Sequence, residues 1–218
     1  MKSLRFFFFV WGVFAVSLQS YSDNTFHYYF RTLGVDKENS IRPVNSILQD
    51  RQGFIWFGSM MNGLGRYDGV SFKYYNQESG NFQNNYVTTL YEDYKGVIWI
   101  GTDAGVYTYS PYTESIRRFE TKSDLGTSIK NTVTMITGNE KGEVWISVDG
   151  QGLFRYDSNT EALKSYFSKD SKQTIPHNIT CFLFAPNAIF WVALYTDNLY
   201  YVKDDFKTLI PFVSKEGL

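Results

Sequence analysis

The stretch GVIWIGTDAGVYTY, residues 96–109, sets an apolar run around Trp99, then a turn of small and acidic residues, then alternating aromatics. Near copies stand at GFIWFGSMMNGLGRYDG (53–69), GEVWISVDGQGLFRYDS (142–158) and AIFWVALYTDNLYYVKD (188–204). Their tryptophans, Trp56, Trp99, Trp145 and Trp191, are spaced 43, 46 and 46 residues apart. A repeat of this length marks an array of supersecondary units, each too small to bury its own apolar surface.

Each unit resolves into four short apolar segments. The first segments begin with a β-branched residue, Val44, Val87, Val133 or Ile179. The second segments, FIWFG, VIWIG, EVWIS and IFWVA, are mostly continuous apolar runs, as in a strand covered on both faces. The third (LGRY, VYTY, LFRY, LYYV) and fourth (FKYY, IRRF, LKSYF, LIPF) mix in polar positions and read as strands nearer solvent. No long amphipathic helical period occurs.

The joints between segments agree. DRQG, DYKG and NEKG, ending at Gly53, Gly96 and Gly142, carry Asp or Asn at the first position and Gly at the fourth, which is type I turn chemistry. MNG, DAG and DGQG join the second and third strands with residues that tolerate the positive φ of a tight hairpin. The fold expected is therefore all-β: a β-propeller of four-stranded antiparallel blades at 44–86, 87–132, 133–178 and 179–218, with a tryptophan filling each gap between neighbours. The fourth unit departs from the pattern, with Ala185, Pro186, Asn187 and Ala188 in place of the acidic and glycine turn and Ala193 in place of the second glycine.

Composition bounds the function. The 218 residues are 43% hydrophobic and 20% charged, ordinary for a folded domain, with an unusual 19% aromatic content. A formal net charge of −1 leaves no basic stripe for nucleic acid. Residues 1–22, MKSLRFFFFVWGVFAVSLQSYS, place two cations before an apolar run from Phe6 to Val16 and small polar residues after it. This is a secretory signal-peptide pattern, with Ser20 and Ser22 framing a cleavage site; a membrane span needs about 20 apolar residues, so an uncleaved anchor is the weaker reading. Residues 23–43 then hold a lead-in and one strand, FHYYFRTL (26–33), of the kind that closes a propeller ring from outside. The single cysteine, Cys181, lies in an apolar strand pattern and reads as a small buried hydrophobe.

Candidate chemistry is sparse. His27 and His177 stand far apart and belong to no metal-ligand spacing or nucleophile and base arrangement. No catalytic residue, metal site or cofactor is expected. Polar groups do recur in the loops between second and third strands. Asn62, Asp103, Asp149, Gln151, Tyr195 and Asp197 are the candidate ligand-binding set, able to hydrogen-bond sugar hydroxyls; the same Asp and Asn are also what tight turns demand. Tyr91, Tyr94, Tyr107, Tyr195 and Tyr200 could stack on sugar rings or pack between blades. Arg66, Tyr67 and Asp68, and Arg155, Tyr156 and Asp157, read as structural.

The phrases ILQDRQGFIWFGSMMNGLGRYDGVSFKYY (47–75) and TLYEDYKGVIWIGTDAGVYTYSPYTESIRRF (89–119) closely resemble the two-component regulator propeller repeat, and the likeness runs over residues 26–212. The resemblance implies a periplasmic, oligosaccharide-sensing input domain of a Bacteroidetes hybrid two-component sensor. In that family the kinase, receiver and DNA-binding regions lie beyond the membrane, and the full-length form is a homodimer. Four units are fewer than such sensors carry. The expectation is thus an N-terminal portion, a partial seven-bladed propeller whose missing blades and kinase are its partners, with a closed four-bladed ring as the alternative. Two other functions stay open: a scaffold or surface glycan-binding propeller without signalling, and a propeller-type polysaccharide lyase or hydrolase.

Overall fold

The acidic turn residue organises the first two repeats locally. Asp50 Oδ1 accepts the backbone N–H groups of Gln52 (3.0 Å) and Phe54 (2.9 Å), and Asp93 Oδ1 accepts those of Lys95 (2.9 Å) and Val97 (3.0 Å). Gly53 and Gly96 complete the turns at φ of +90° and +79°, donating to the carbonyls of Asp50 (2.9 Å) and Asp93 (3.0 Å). With the backbone reversed this way, the flanking apolar runs pair as antiparallel strands.

A computed structural model describes residues 43–167, 179–185, 189–195, 199–202, 206 and 209–213. The expected leader, the strand at 26–33, both histidines and Asp197 lie outside the described residues. Contacts divide the chain into 1–33 and 34–218, and every described residue belongs to the second unit.

Blade 1 comprises β1 (Val44–Gln49), β2 (Ile55–Ser59), β3 (Leu64–Tyr67) and β4 (Phe72–Tyr75). Blade 2 comprises β5 (Val87–Glu92), β6 (Ile98–Thr102), β7 (Gly105–Ser110) and β8 (Ser115–Arg118). Blade 3 holds β9 (Val133–Gly138), β10 (Glu143–Val148), β11 (Gly152–Asp157) and β12 (Ala162–Tyr166), and blade 4 holds β13 (Ile179–Ala185), β14 (Ile189–Leu194), β15 (Leu199–Val202) and β16 (Ile210–Pro211). Each is a four-stranded antiparallel meander in sequential order, and among the described residues there is no helix. The chain is an all-β propeller array.

The core lies between blades. Trp56, Trp99 and Trp145 are 0–2% exposed. Each extends from the second strand of its own blade into apolar side chains of the next: Trp56 with Leu90, Ile98 and Tyr109, Trp99 with Val144 and Tyr156, Trp145 with Phe182 and Phe190. The ring of Trp56 lies 4.7 Å from that of Tyr109, and that of Trp99 5.2 Å from Tyr156. Trp191 differs: it is half-buried on the outer face of blade 4, against Tyr201 and Phe212 of its own blade. Cys181, expected to be buried, is exposed on that same blade, because its face has no neighbouring sheet among the described residues.

Sequence reading passed over a β-bulge at the same point of every first strand. Pairing skips Asn45, Thr88, Thr134 and Thr180, one residue after each leading β-branched position. A bulge turns its extra residue away from the ladder. Asn45 Nδ2 thereby donates to the Val87 carbonyl (2.9 Å), Thr88 Oγ1 to Val133 (2.6 Å) and Thr134 Oγ1 to Ile179 (2.8 Å), each in the following blade. The spacing of these four residues matches that of the tryptophans, so the signal was present in the sequence.

Candidate functional site

The connections between second and third strands meet the inter-blade linkers at one end of the array, because a meander returns its chain there before starting the next blade. Gly63 N donates to the Asn85 carbonyl (3.0 Å), Asn84 Nδ2 to Asp103 Oδ1 (2.8 Å) and Asp149 N to the Thr132 carbonyl (2.8 Å). Gln151 works as a clamp: its Oε1 accepts from Lys130 N (3.0 Å) and Asn131 N (3.1 Å) while Nε2 donates to the Ser128 carbonyl (2.9 Å). Asn62 lies in the blade 1 loop, its N–H donating to Ser59 Oγ (2.9 Å). The candidate residues that are described therefore share one face, and Asp103 and Gln151 have their side chains engaged in holding linker to loop.

Between blades 3 and 4 that face opens into a cavity of about 320 Å³, lined by Thr132, Thr134, Asp149, Ile179, Thr180 and Tyr195. The structure thus brings Asp149 and Tyr195 together and leaves Asn62, Asp103 and Gln151 outside. Tyr195 stands 81% exposed at the mouth. Of the other candidate tyrosines, Tyr107 is buried against Phe82 (5.0 Å), and Tyr91 and Tyr200 pack on the inter-blade cores. Tyr94 donates its hydroxyl to Asn159 Oδ1 (2.6 Å). Thr132, Thr134 and Thr180 were not anticipated; they line the cavity because first strands are innermost. A lining of hydroxyls, one carboxylate, an aliphatic floor and an exposed phenol can donate and accept hydrogen bonds and offer an apolar surface to a ring, at the small end of ligand-cavity sizes.

The opposite end is a set of ties between blades. Arg51 donates from Nη1 to the Tyr94 carbonyl (2.6 Å) and from Nη2 to the Asp93 carbonyl (2.6 Å), and pairs with Glu92 at 3.7 Å. Burial pushes the Glu92 carboxyl above its ordinary pKa, with Arg51 opposing. Lys95 Nζ donates to the Ser158 carbonyl (2.6 Å) in blade 3. A second hollow of about 210 Å³ lies here, bordered by Arg51, Glu92, Lys95 and Tyr112. The Arg-Tyr-Asp triplets are structural. Arg66 lies 4.4 Å over the Phe54 ring and Arg155 pairs with Glu143 at 3.1 Å. Asp68 is held at a pKa of about 2 by the Ser71 and Val70 N–H groups, and Asp157 is lowered by that of Asn159. Among the described residues no group of three His, Cys, Asp or Glu could hold a metal ion.

Residues 36–61 and 81–104 match the two component regulator propeller family model. Those two stretches, which hold the tryptophan strands of blades 1 and 2, are similar to that repeat. Among solved structures, the extracellular domain of a hybrid two component system from B. thetaiotaomicron superposes with a TM-score of 0.69 at 25% identity, over 80% of this chain and 25% of that one. A second such domain from the same organism gives 0.65 at 21% identity, over 78% and 25%. Virginiamycin B lyase from Staphylococcus aureus gives 0.59 at 13%, over 82% and 58%, a likeness of fold alone. The chain spans about a quarter of the length of the two sensor domains. No curated protein matches it.

Proposed function

We propose that this chain is an extracytoplasmic, periplasmic ligand-binding input module of a two-component sensor, and that its ligand is an oligosaccharide received at the cavity between blades 3 and 4. The observation that carries the reading is the pairing, at one mouth, of the exposed Tyr195 ring with the Asp149 carboxylate and the Thr132 and Thr180 hydroxyls. A sugar presents a ring face that is apolar and a rim of hydroxyls that donate and accept, and this lining answers both. The family of the repeat and the likeness to extracellular sensor domains support the sensing role. In this reading the module binds without turnover, and further blades and a kinase portion pass the signal on.

The test is calorimetric titration of the full chain with a panel of neutral and acidic oligosaccharides, with the products checked by chromatography. Binding without cleavage, weakened at least about tenfold by Tyr195→Ala as expected for a stacked anchor, supports the proposal. Cleavage of a glycan would favour the lyase or hydrolase reading. Silence to every sugar would favour a scaffold.

A further inference from the structure

The cavity between blades 3 and 4 is lopsided in its hydrogen-bonding chemistry. Thr134 Oγ1 donates to the Ile179 carbonyl (2.8 Å) and Thr132 Oγ1 to the Asp103 carbonyl (3.3 Å). A hydroxyl has one proton to give, so both oxygens can only accept from a ligand. Asp149 adds a carboxylate, which also only accepts. Its backbone is fixed on both sides, the N–H donating to the Thr132 carbonyl (2.8 Å) and the carbonyl accepting from Asn131 Nδ2 (3.0 Å), while the residue itself is exposed. Thr180 and Tyr195 supply the remaining hydroxyls, each able to give or take a proton.

The charge is equally one-sided. Among the described residues that line the cavity, Asp149 is the one ionisable group that is charged at neutral pH, and no lysine, arginine or histidine faces it across the lining. Lys130, on the linker that leads into Thr132, stands outside. The hollow at the opposite end is built the other way, with Arg51 and Lys95 on its border.

A complementary ligand therefore gives protons rather than takes them, and carries positive charge rather than negative. An ammonium group does both, with three N–H donors and no acceptor. Its bond to a carboxylate is charge-assisted, roughly twice as strong as a neutral hydrogen bond. It is also drawn to the face of a phenol ring, and the Tyr195 ring stands open at the mouth.

We infer, resting on the reading of this cavity as an oligosaccharide site, that the sugar it takes is an amino sugar with a free ammonium group. The ammonium is held by the Asp149 carboxylate and the Tyr195 ring, and the sugar hydroxyls donate to Thr132 and Thr134. N-acetylation removes the charge and three donors become one, so acetylated sugars bind weakly. Uronic acids meet the Asp149 carboxylate with no cation of the lining to offset it and are repelled.

Calorimetric titration of the full chain tests this at pH 6, below the range from about 7.7 upward in which amines titrate. The probes are trimers of glucosamine and of galactosamine, each beside its N-acetylated form, and a galacturonic acid trimer. At least one amine trimer is expected to bind about tenfold or more tighter than its acetylated counterpart, with the uronate trimer silent. Asp149→Asn keeps the turn chemistry and should bring the two forms within about threefold of each other. Tyr195→Leu keeps an apolar contact without a ring face and should narrow the preference by about threefold. Circular dichroism verifies that both variants keep their β-structure. An acetylated or uronate trimer that binds as tightly as the amine, or an amine preference unchanged by Asp149→Asn, overturns the inference and leaves the oligosaccharide reading standing. Silence of both amine trimers also overturns it, and the oligosaccharide reading falls with it only when the neutral and acidic panel is silent too.

Discussion

Asp93→Asn isolates the repeat's internal latch. Trp99 Nε1 donates to Asp93 Oδ2 at 2.9 Å, while the other carboxylate oxygen holds the turn, and Asp93 is 3% exposed. The amide keeps one oxygen for the turn but sets an N–H₂ against the indole N–H, leaving a buried donor without an acceptor. Such an orphan costs about 1–3 kcal/mol, and the lost bond was to a charged group, so about 2 kcal/mol is expected. With a urea slope of roughly 2 kcal/mol per M, the unfolding midpoint falls by about 1 M. Blade 3 shows the altered latch already in place. Asn139 stands for the aspartate, donates to Glu143 Oε2 (2.7 Å), and the buried Trp145 Nε1 has no partner. A double-mutant cycle with Trp99→Phe, which removes the donor, reads the coupling directly and should return about 1–2 kcal/mol. A midpoint unchanged by Asp93→Asn, or a cycle with no coupling, would refute the latch.

The converse change, Asn139→Asp with Glu143→Val, gives Trp145 its acceptor without a facing carboxylate and should raise stability by about 1 kcal/mol in the same urea assay. Thr88→Val keeps the shape of the bulge but removes the donor to the Val133 carbonyl; a loss of about 1 kcal/mol is expected, and an unchanged midpoint would show the inter-blade bond to be immaterial. Burial raises the phenol pKa values of Tyr75, Tyr91, Tyr109 and Tyr156 above the ordinary 10.0. A pKa raised by folding contributes stability that is complete below the unfolded value and lost as pH rises through the folded one. Urea midpoints should therefore fall beyond about pH 10, with tyrosinate absorbance rising as the fold is lost; phenols titrating at 10.0 in an intact fold would contradict this.

The sequence alone determined the blade count, the strand order and the propeller class, since these rest on spacing, strand alternation and turn chemistry. Trp99, the DYKG turn and the apolar VIWIG run are local patterns, and a pattern repeated at 43 and 46 residues is legible without coordinates. It also identified one loop face, because the loops between second and third strands of successive meanders all fall at the same end. It did not separate Asp149 from Asp103, which look alike in their turns, because one faces a cavity and the other receives Asn84. That difference depends on which linker folds over which loop, a contact across about 20 residues that no local pattern encodes. Nor did it reveal that Trp191 is only half-buried while Trp56, Trp99 and Trp145 are enclosed, or that Cys181 is exposed. Their local sequence is that of a core, and only the stacking of one sheet on the next decides whether an apolar face is covered.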